Sequence, residues 1–176
     1  MKRILLIGAQ GSGKSTQAKL LSEFLGVPVV STGEVFRNLA ASESDEGKMI
    51  KAILDAGKLV DDKITSEIVK KRLDEDDCQN GFIMDGYPRN LEQVNYFDPQ
   101  FDKVFYLNVS DEEIIKRLSV RGREDDTPEL IKTRLDIYSE VTVPLLKHYQ
   151  KQGVLVEIDG MGQVEKIHQD LRSNFL

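Results

Sequence analysis

Cysteine is almost absent: Cys78 stands alone among 176 residues. A single thiol excludes a disulfide framework and a cysteine zinc site. Positive charge is in deficit as well, with 24 lysines and arginines against 30 acids, a net charge of −6 and a pI near 5.1. That balance argues against a nucleic-acid-binding face or an anionic-membrane surface, so neither nucleic acid nor membrane is expected as a partner. Any basic site must be a local cluster. No apolar run is long enough to span a bilayer. Residues 1–7 superficially resemble a leader peptide, but the apolar run stops at Gly8 and no small-residue cleavage pattern follows. A reducing, cytoplasmic setting and a monomer are the expectations.

Internal repeats and low-complexity tracts are also missing. What remains is a chain with 40% hydrophobic residues, enough for one compact domain spanning 1–176. Short apolar runs at 3–7, 27–30, 82–85, 103–109 and 154–158 read as strands. Helical patterns separate them at 14–25, 33–41, 48–56, 64–76, 91–97, 111–120, 128–150 and 163–175. Thr127 and Pro128 suit the cap and first turn of the seventh, and Pro144 is expected to kink or break it. Strands alternating with helices predict an α/β fold: a five-stranded parallel sheet with helices on both faces. Two stretches interrupt the alternation. Residues 31–60 form an inserted helical lobe, and residues 121–127 form a short, strongly charged loop. Insertions at strand C-termini lie where ligands bind.

Gly8-Ala9-Gln10-Gly11-Ser12-Gly13-Lys14-Ser15 matches the phosphate-loop pattern G-x-x-x-x-G-K-[ST]. Its glycines let successive N–H groups turn inward toward phosphate oxygens. Lys14 can reach the β- and γ-phosphates, and the Ser15 hydroxyl can hold Mg²⁺. The following helix adds its positive dipole end. The motif lies between a buried strand (Ile4-Leu5-Leu6-Ile7) and a helix, the context it needs. The signature is that of a P-loop NTPase-type domain.

Six of the nine arginines fall in places of interest: Arg37 in the lobe, Arg89 after the third strand, and Arg117, Arg121, Arg123 and Arg134 around the charged loop. A surface salt-bridge cluster with Glu124, Asp125 and Asp126 is one reading. Beside a phosphate loop, a clamp for anions is the stronger one, because guanidinium groups are planar, always charged and bidentate. Asp85 closes the third strand, where a carboxylate can hold Mg²⁺ directly or through water; it can also anchor loop backbone or cap a helix. Gly86 permits close backbone approach by a ligand, and Pro88 stiffens the turn that aims Arg89.

These pieces together, with Ser31-Thr32-Gly33-Glu34-Val35-Phe36-Arg37, Gly57-Lys58-Leu59-Val60, Gln93, Arg134-Leu135 and Tyr138, resemble the nucleoside monophosphate kinases, and among them most closely the adenylate kinase family. The similarity runs nearly the whole length. It implies a reversible transfer, Mg-ATP + AMP giving two ADP. By that resemblance Gly11, Ser12, Gly13, Lys14, Ser15, Thr16, Arg117, Arg121 and Gly162 would bind ATP, with Arg117 stacked on the donor adenine. Thr32, Arg37, Lys58, Leu59, Val60, Gly86, Tyr87, Pro88, Arg89, Gln93, Arg123 and Arg134 would bind AMP, Thr32 and Gln93 reading the base. Lys14, Arg89, Arg123 and Arg134 would be catalytic, and Ser15 and Asp85 would serve Mg²⁺. Thr32 can also cap a helix, and Gln93 can also be an exposed helix residue.

The chain departs from the family pattern at Gln10, Glu34 and Asp61, none of them a reacting group. Its lid is very short, with only Gly122 between Arg121 and Arg123, and no zinc is expected. Rival readings are a UMP/CMP kinase, a kinase of other small molecules, and a nucleotide-binding switch without kinase activity. Against the switch, no Asn-Lys-x-Asp guanine-reading motif is present.

Overall fold

The computed structural model describes residues 2–56, 60–121 and 127–176, with Arg121 as backbone alone. Five strands form one sheet: β1 (Lys2–Ile7), β2 (Val29–Ser31), β3 (Gly81–Asp85), β4 (Lys103–Asn108) and β5 (Leu155–Asp159). Their spatial order is β2-β3-β1-β4-β5, and every pairing is parallel. The helices are α1 (Lys14–Leu25), α2 (Thr32–Ala40), α3 (Asp45–Asp55), α4 (Asp62–Leu73), α5 (Leu91–Tyr96), α6 (Asp111–Arg121), α7 (Pro128–Lys151) and α8 (Val164–Arg172). Short 3-10 turns follow α4 and α8.

Side-chain alternation along the strands supplies two core layers. Leu5, Ile7, Phe82, Met84 and Val104 point to one face and pack against α4, α5 and α7 through Val69, Val94, Leu145 and Tyr149. Ile4, Leu6, Ile83, Phe105 and Leu107 point to the other and pack against α1 and α8 through Ala18, Leu21, Ile167 and Leu171. A third cluster joins Ala9 to α6 and α7 through Ile114, Leu118, Ile131 and Leu135. It fixes the phosphate loop to the helices that flank the charged loop.

Pro144 does not break α7, which is one continuous helix. Pro144 and Glu140, whose carbonyl loses its helical partner, both lie on the exposed face, where water can replace the missing bond. Thr127 caps this helix as expected, accepting from the Leu130 N–H at 3.3 Å. The lobe between β2 and α4 is a helix pair, α2 and α3.

In parallel sheets the ligand crevice lies beyond the strand C-termini, where neighbouring connections diverge to opposite sides. Here the chain leaves β1 for β2 and β3 on one side, and reaches β4 and β5 on the other. The phosphate loop follows β1 at that point.

Candidate active site

The loop after β1 enters α1 through Gly13, whose φ of 94° is a left-handed value that side chains rarely adopt. The Lys14 ammonium turns back and donates to the Ala9 carbonyl at 3.1 Å. Burial pushes its pKa down from the ordinary lysine value; Asp85 opposes that shift and Arg89 adds to it. Ser15 Oγ donates to Asp85 Oδ2 at 2.7 Å. Asp85 is 8% exposed, at the end of β3 and level with Leu6 of β1 on one side and Ser31 of β2 on the other. The anchoring alternative for Asp85 therefore takes a definite form: its partner is the loop serine itself.

Do these groups suit Mg²⁺? A hydroxyl from the first turn of α1 and a carboxylate from the end of β3, 2.7 Å apart, supply hard oxygen donors. No group of three or more His, Cys, Asp or Glu residues able to hold a metal occurs among the described residues. That pattern fits Mg²⁺, which takes few protein ligands and fills its shell with phosphate oxygens and water.

A cleft of about 500 Å³ opens beside the loop, lined by Gly11, Ser12, Gly13, Thr16, Arg117 and Gly162, together with Gln17 and residues 163–165 and 167. Thus six residues expected at the donor nucleotide share one cavity. Arg117 is held by its edges. Its Nε donates to Glu113 Oε1 at 2.8 Å, one terminal nitrogen donates to the Gly160 carbonyl at 2.9 Å, and the other reaches the Ser12 carbonyl at 3.4 Å. A guanidinium anchored at its edges has its planar faces available for stacking.

On the other side of Asp85 lies the acceptor region. Thr32 opens α2 directly after Ser31, and its Oγ1 is buried without a hydrogen-bond partner. It does not act as the helix cap; Ser31 occupies that position. A buried hydroxyl left unsatisfied costs free energy unless a ligand supplies the missing bond. Gly86 faces it: with φ at 96°, a Cβ there would lie 3.4 Å from Thr32 Oγ1. Gln93 is 5% exposed, so the exposed-helix alternative does not describe it. Its Oε1 accepts from the Arg89 backbone N–H at 2.8 Å. Tyr87 is fully buried, and the Tyr87–Pro88 peptide is cis.

Arg89 and Arg37 are exposed; Arg89 Nε donates to the Gly86 carbonyl at 3.1 Å, and the Arg37 guanidinium lies over Gly33. The Val60 carbonyl accepts from Thr65 Oγ1 at 3.4 Å. Arg134 is half-buried on α7 beside Leu135 of the third core cluster. Lys58, Leu59 and Arg123, the Arg121 side chain and most of the charged loop at 121–127 lie outside the described residues.

Some neighbours of the site carried no signal in the sequence. Asp62 accepts from Gln93 Nε2 at 2.7 Å and from Asn90 Nδ2 at 3.0 Å, contacts made only by the fold. Glu113 was detectable, because it stands four residues before Arg117 on one helix. Glu113 pairs with Arg117 among the described residues, and the acids at 124–126 lie outside them.

A sheet with a phosphate loop at its switch point and a carboxylate on the neighbouring strand tip defines a P-loop nucleotide-binding fold. A family model described as Adenylate kinase matches residues 6–154. Curated relatives named Adenylate kinase include one from Prochlorococcus marinus subsp. pastoris, 44% identical over 97% of this chain and 96% of the relative. Another from Leifsonia xyli subsp. xyli is 42% identical over 93% of this chain and 88% of its own length. One from Thermobifida fusca is 42% identical over 95% and 94%. The chain belongs to the adenylate kinase family.

Proposed function

We propose that this protein transfers the terminal phosphoryl group of Mg-ATP to AMP, reversibly, forming two ADP. One observation carries the reading. Asp85 sits at the tip of β3 between the phosphate loop, through Ser15, and the start of α2, where Thr32 presents an unsatisfied buried hydroxyl. The phosphate loop and the unsatisfied hydroxyl at the start of α2 therefore meet at one strand end.

Donor binding falls to the N–H groups of residues 11–16, with Lys14 on the phosphates and Arg117 against the adenine. Acceptor binding falls to Thr32 and Gln93 at the base, with residues 58–60 and 86–88 closing the pocket, and to Arg37 and Arg89 at the α-phosphate. Arg123 and Arg134 hold the group in transfer, and Arg121 the donor phosphates. When bound through Ser15 and Asp85, Mg²⁺ neutralises charge on the donor phosphates.

The reaction demands little covalent chemistry. The attacking oxygen belongs to an already ionised phosphate, so no general base is assigned. Catalysis rests on in-line positioning and on fixed positive charge where the loose transition state is negative. Lys14 arrives desolvated, so its charge acts in a low-dielectric setting, where a bound triphosphate would hold its proton more firmly. Water must be kept from the donor, and closure of the lobe at 31–60 and the lid at 121–127 would do that.

No described helix is long and apolar enough to cross a membrane. The lone buried thiol suits a reducing, cytoplasmic setting, and the acidic balance suits small nucleotides rather than nucleic acid as substrates. The test is a coupled assay of ADP formation across a matrix of monophosphate acceptors and triphosphate donors. AMP is expected to be the best acceptor; preference for CMP or UMP overturns the reading.

A further inference from the structure

The Gln93 amide has two orientations that differ only by exchange of its oxygen and nitrogen, and the surroundings permit one. Nε2 donates to Asp62 Oδ1 at 2.7 Å, while Oε1 accepts from the Arg89 backbone N–H at 2.8 Å. A carboxylate can only accept, and a backbone N–H can only donate. Turning the amide over would set oxygen against oxygen and N–H against N–H. Asp62 is itself fixed, because its second oxygen accepts from Asn90 Nδ2 at 3.0 Å. Asn90 is fixed in turn, since its Oδ1 accepts from the Gln93 N–H at 2.8 Å. The donors and acceptors close into a ring of consistent polarity.

A carboxamide has two N–H donors and an oxygen with two lone pairs. The ring uses one donor and one lone pair, leaving one of each for a ligand. A purine with a 6-amino group offers a donor at that group and an acceptor at N1. A 6-oxo purine offers the reverse pair. A freely turning amide would take either; a fixed one discriminates.

We propose that Asp62 is a specificity-determining positioning residue: by fixing the Gln93 amide, it makes the acceptor pocket select 6-aminopurine over 6-oxopurine monophosphates. The inference rests on the assignment of Gln93 as reader of the acceptor base. Asp62 itself makes no contact with the nucleotide.

Asp62→Asn tests it sharply. Asn90 still requires an acceptor, so the new oxygen is drawn to Asn90 and the new NH₂ faces Gln93. The polarity presented to Gln93 is then reversed. With ATP as donor, AMP and IMP are compared as acceptors. The variant is expected to raise KM for AMP about 10-fold and to lower the AMP:IMP ratio of kcat/KM by about 10-fold or more. KM for ATP, and kcat at saturating AMP, should stay within about 3-fold. A purely structural role would move stability or both substrates alike and leave the ratio where it was. Thermal melting checks folding, and Asp62→Ser, whose short hydroxyl cannot hold the amide, should lower the ratio too. A wild-type AMP:IMP ratio in folded Asp62→Asn overturns the inference. Gln93→Leu separates the two claims. If that variant keeps both the AMP KM and the ratio, the reader assignment fails; if it loses the ratio while Asp62→Asn keeps it, only the role of Asp62 fails.

Discussion

Tyr87→Phe removes one oxygen atom from the fully buried wall of the acceptor region. That hydroxyl lies 2.7 Å from the Phe97 carbonyl, 2.9 Å from the Gln93 carbonyl and 3.0 Å from Ser66 Oγ. It carries one proton, so its strongest bond goes to one acceptor at a time. The Gln93 carbonyl has a second partner, the Phe97 N–H at 2.9 Å, and Ser66 Oγ donates to the Asp62 carbonyl at 2.7 Å. Phe97 loses most. Leaving this part-buried carbonyl unpaired costs up to about 3 kcal/mol, and a value of ~2 kcal/mol lowers Tm by about 4–8 °C in a domain of this size. The bonds at issue hold the six-residue α5, which carries Gln93. If about half the loss, ~1 kcal/mol, is felt as weaker acceptor binding, KM for AMP rises roughly 5-fold while KM for ATP does not move. Burial pushes the Tyr87 hydroxyl up to about 12. A tyrosine in the unfolded chain ionises near 10, so from about pH 10 to 12 the folded wild type loses stability that the phenylalanine variant does not lose. The stability gap between the two should therefore shrink as pH rises through that window. Urea titrations at pH 7 and near pH 11, with AMP and ATP kinetics at neutral pH, measure all of this. Equal stability at pH 7, or a rise in KM for ATP instead of AMP, would show that the Tyr87 hydroxyl does not hold α5 in place.

Asp85→Asn should weaken the dependence of rate on Mg²⁺, raising the concentration for half-maximal activity, with kcat lower by about 10²-fold; an unchanged Mg²⁺ titration removes Asp85 from the metal assignment. Arg134→Ala should lower kcat by about 10³-fold, read by the coupled ADP assay; a full rate removes Arg134 from the transfer step. Burial, opposed by Arg72, pushes the Cys78 thiol up to about 11. At pH 8 its thiolate is scarce, so alkylation in the native protein should be at least about 10²-fold slower than in denaturant, and faster labelling would contradict its burial.

The phosphate loop and the sheet were legible because their signals are local. Helix 14–25 coincides with α1, and each of the five strands was located within two residues at either end. The misplacements have physical causes. Apolar periodicity begins α3 at 48, yet Ser44 caps it, accepting from the Gly47 N–H at 3.0 Å, and its first turn is polar. Asp61 does the same for α4, accepting from the Lys63 and Ile64 N–H groups. At β2, Pro28 cannot donate to the ladder, though its carbonyl accepts from the Ile83 N–H at 2.8 Å; the strand starts at Val29. In the site, Ser15 and Asp85 met as their positions promised, 70 residues apart in sequence. The hold of Asp62 on Gln93, across 31 residues, left no trace, because amide polarity is decided by tertiary neighbours.

The proposed reaction is direct transfer between two nucleotides held at one strand end. Its most direct test follows nucleotides and inorganic phosphate together by chromatography, in a reaction of purified protein with Mg-ATP and AMP. Two ADP are expected for each AMP consumed, with no phosphate released and with the reverse reaction running from ADP alone. Phosphate accumulating in place of ADP, or no ADP while ATP remains bound, would contradict direct transfer.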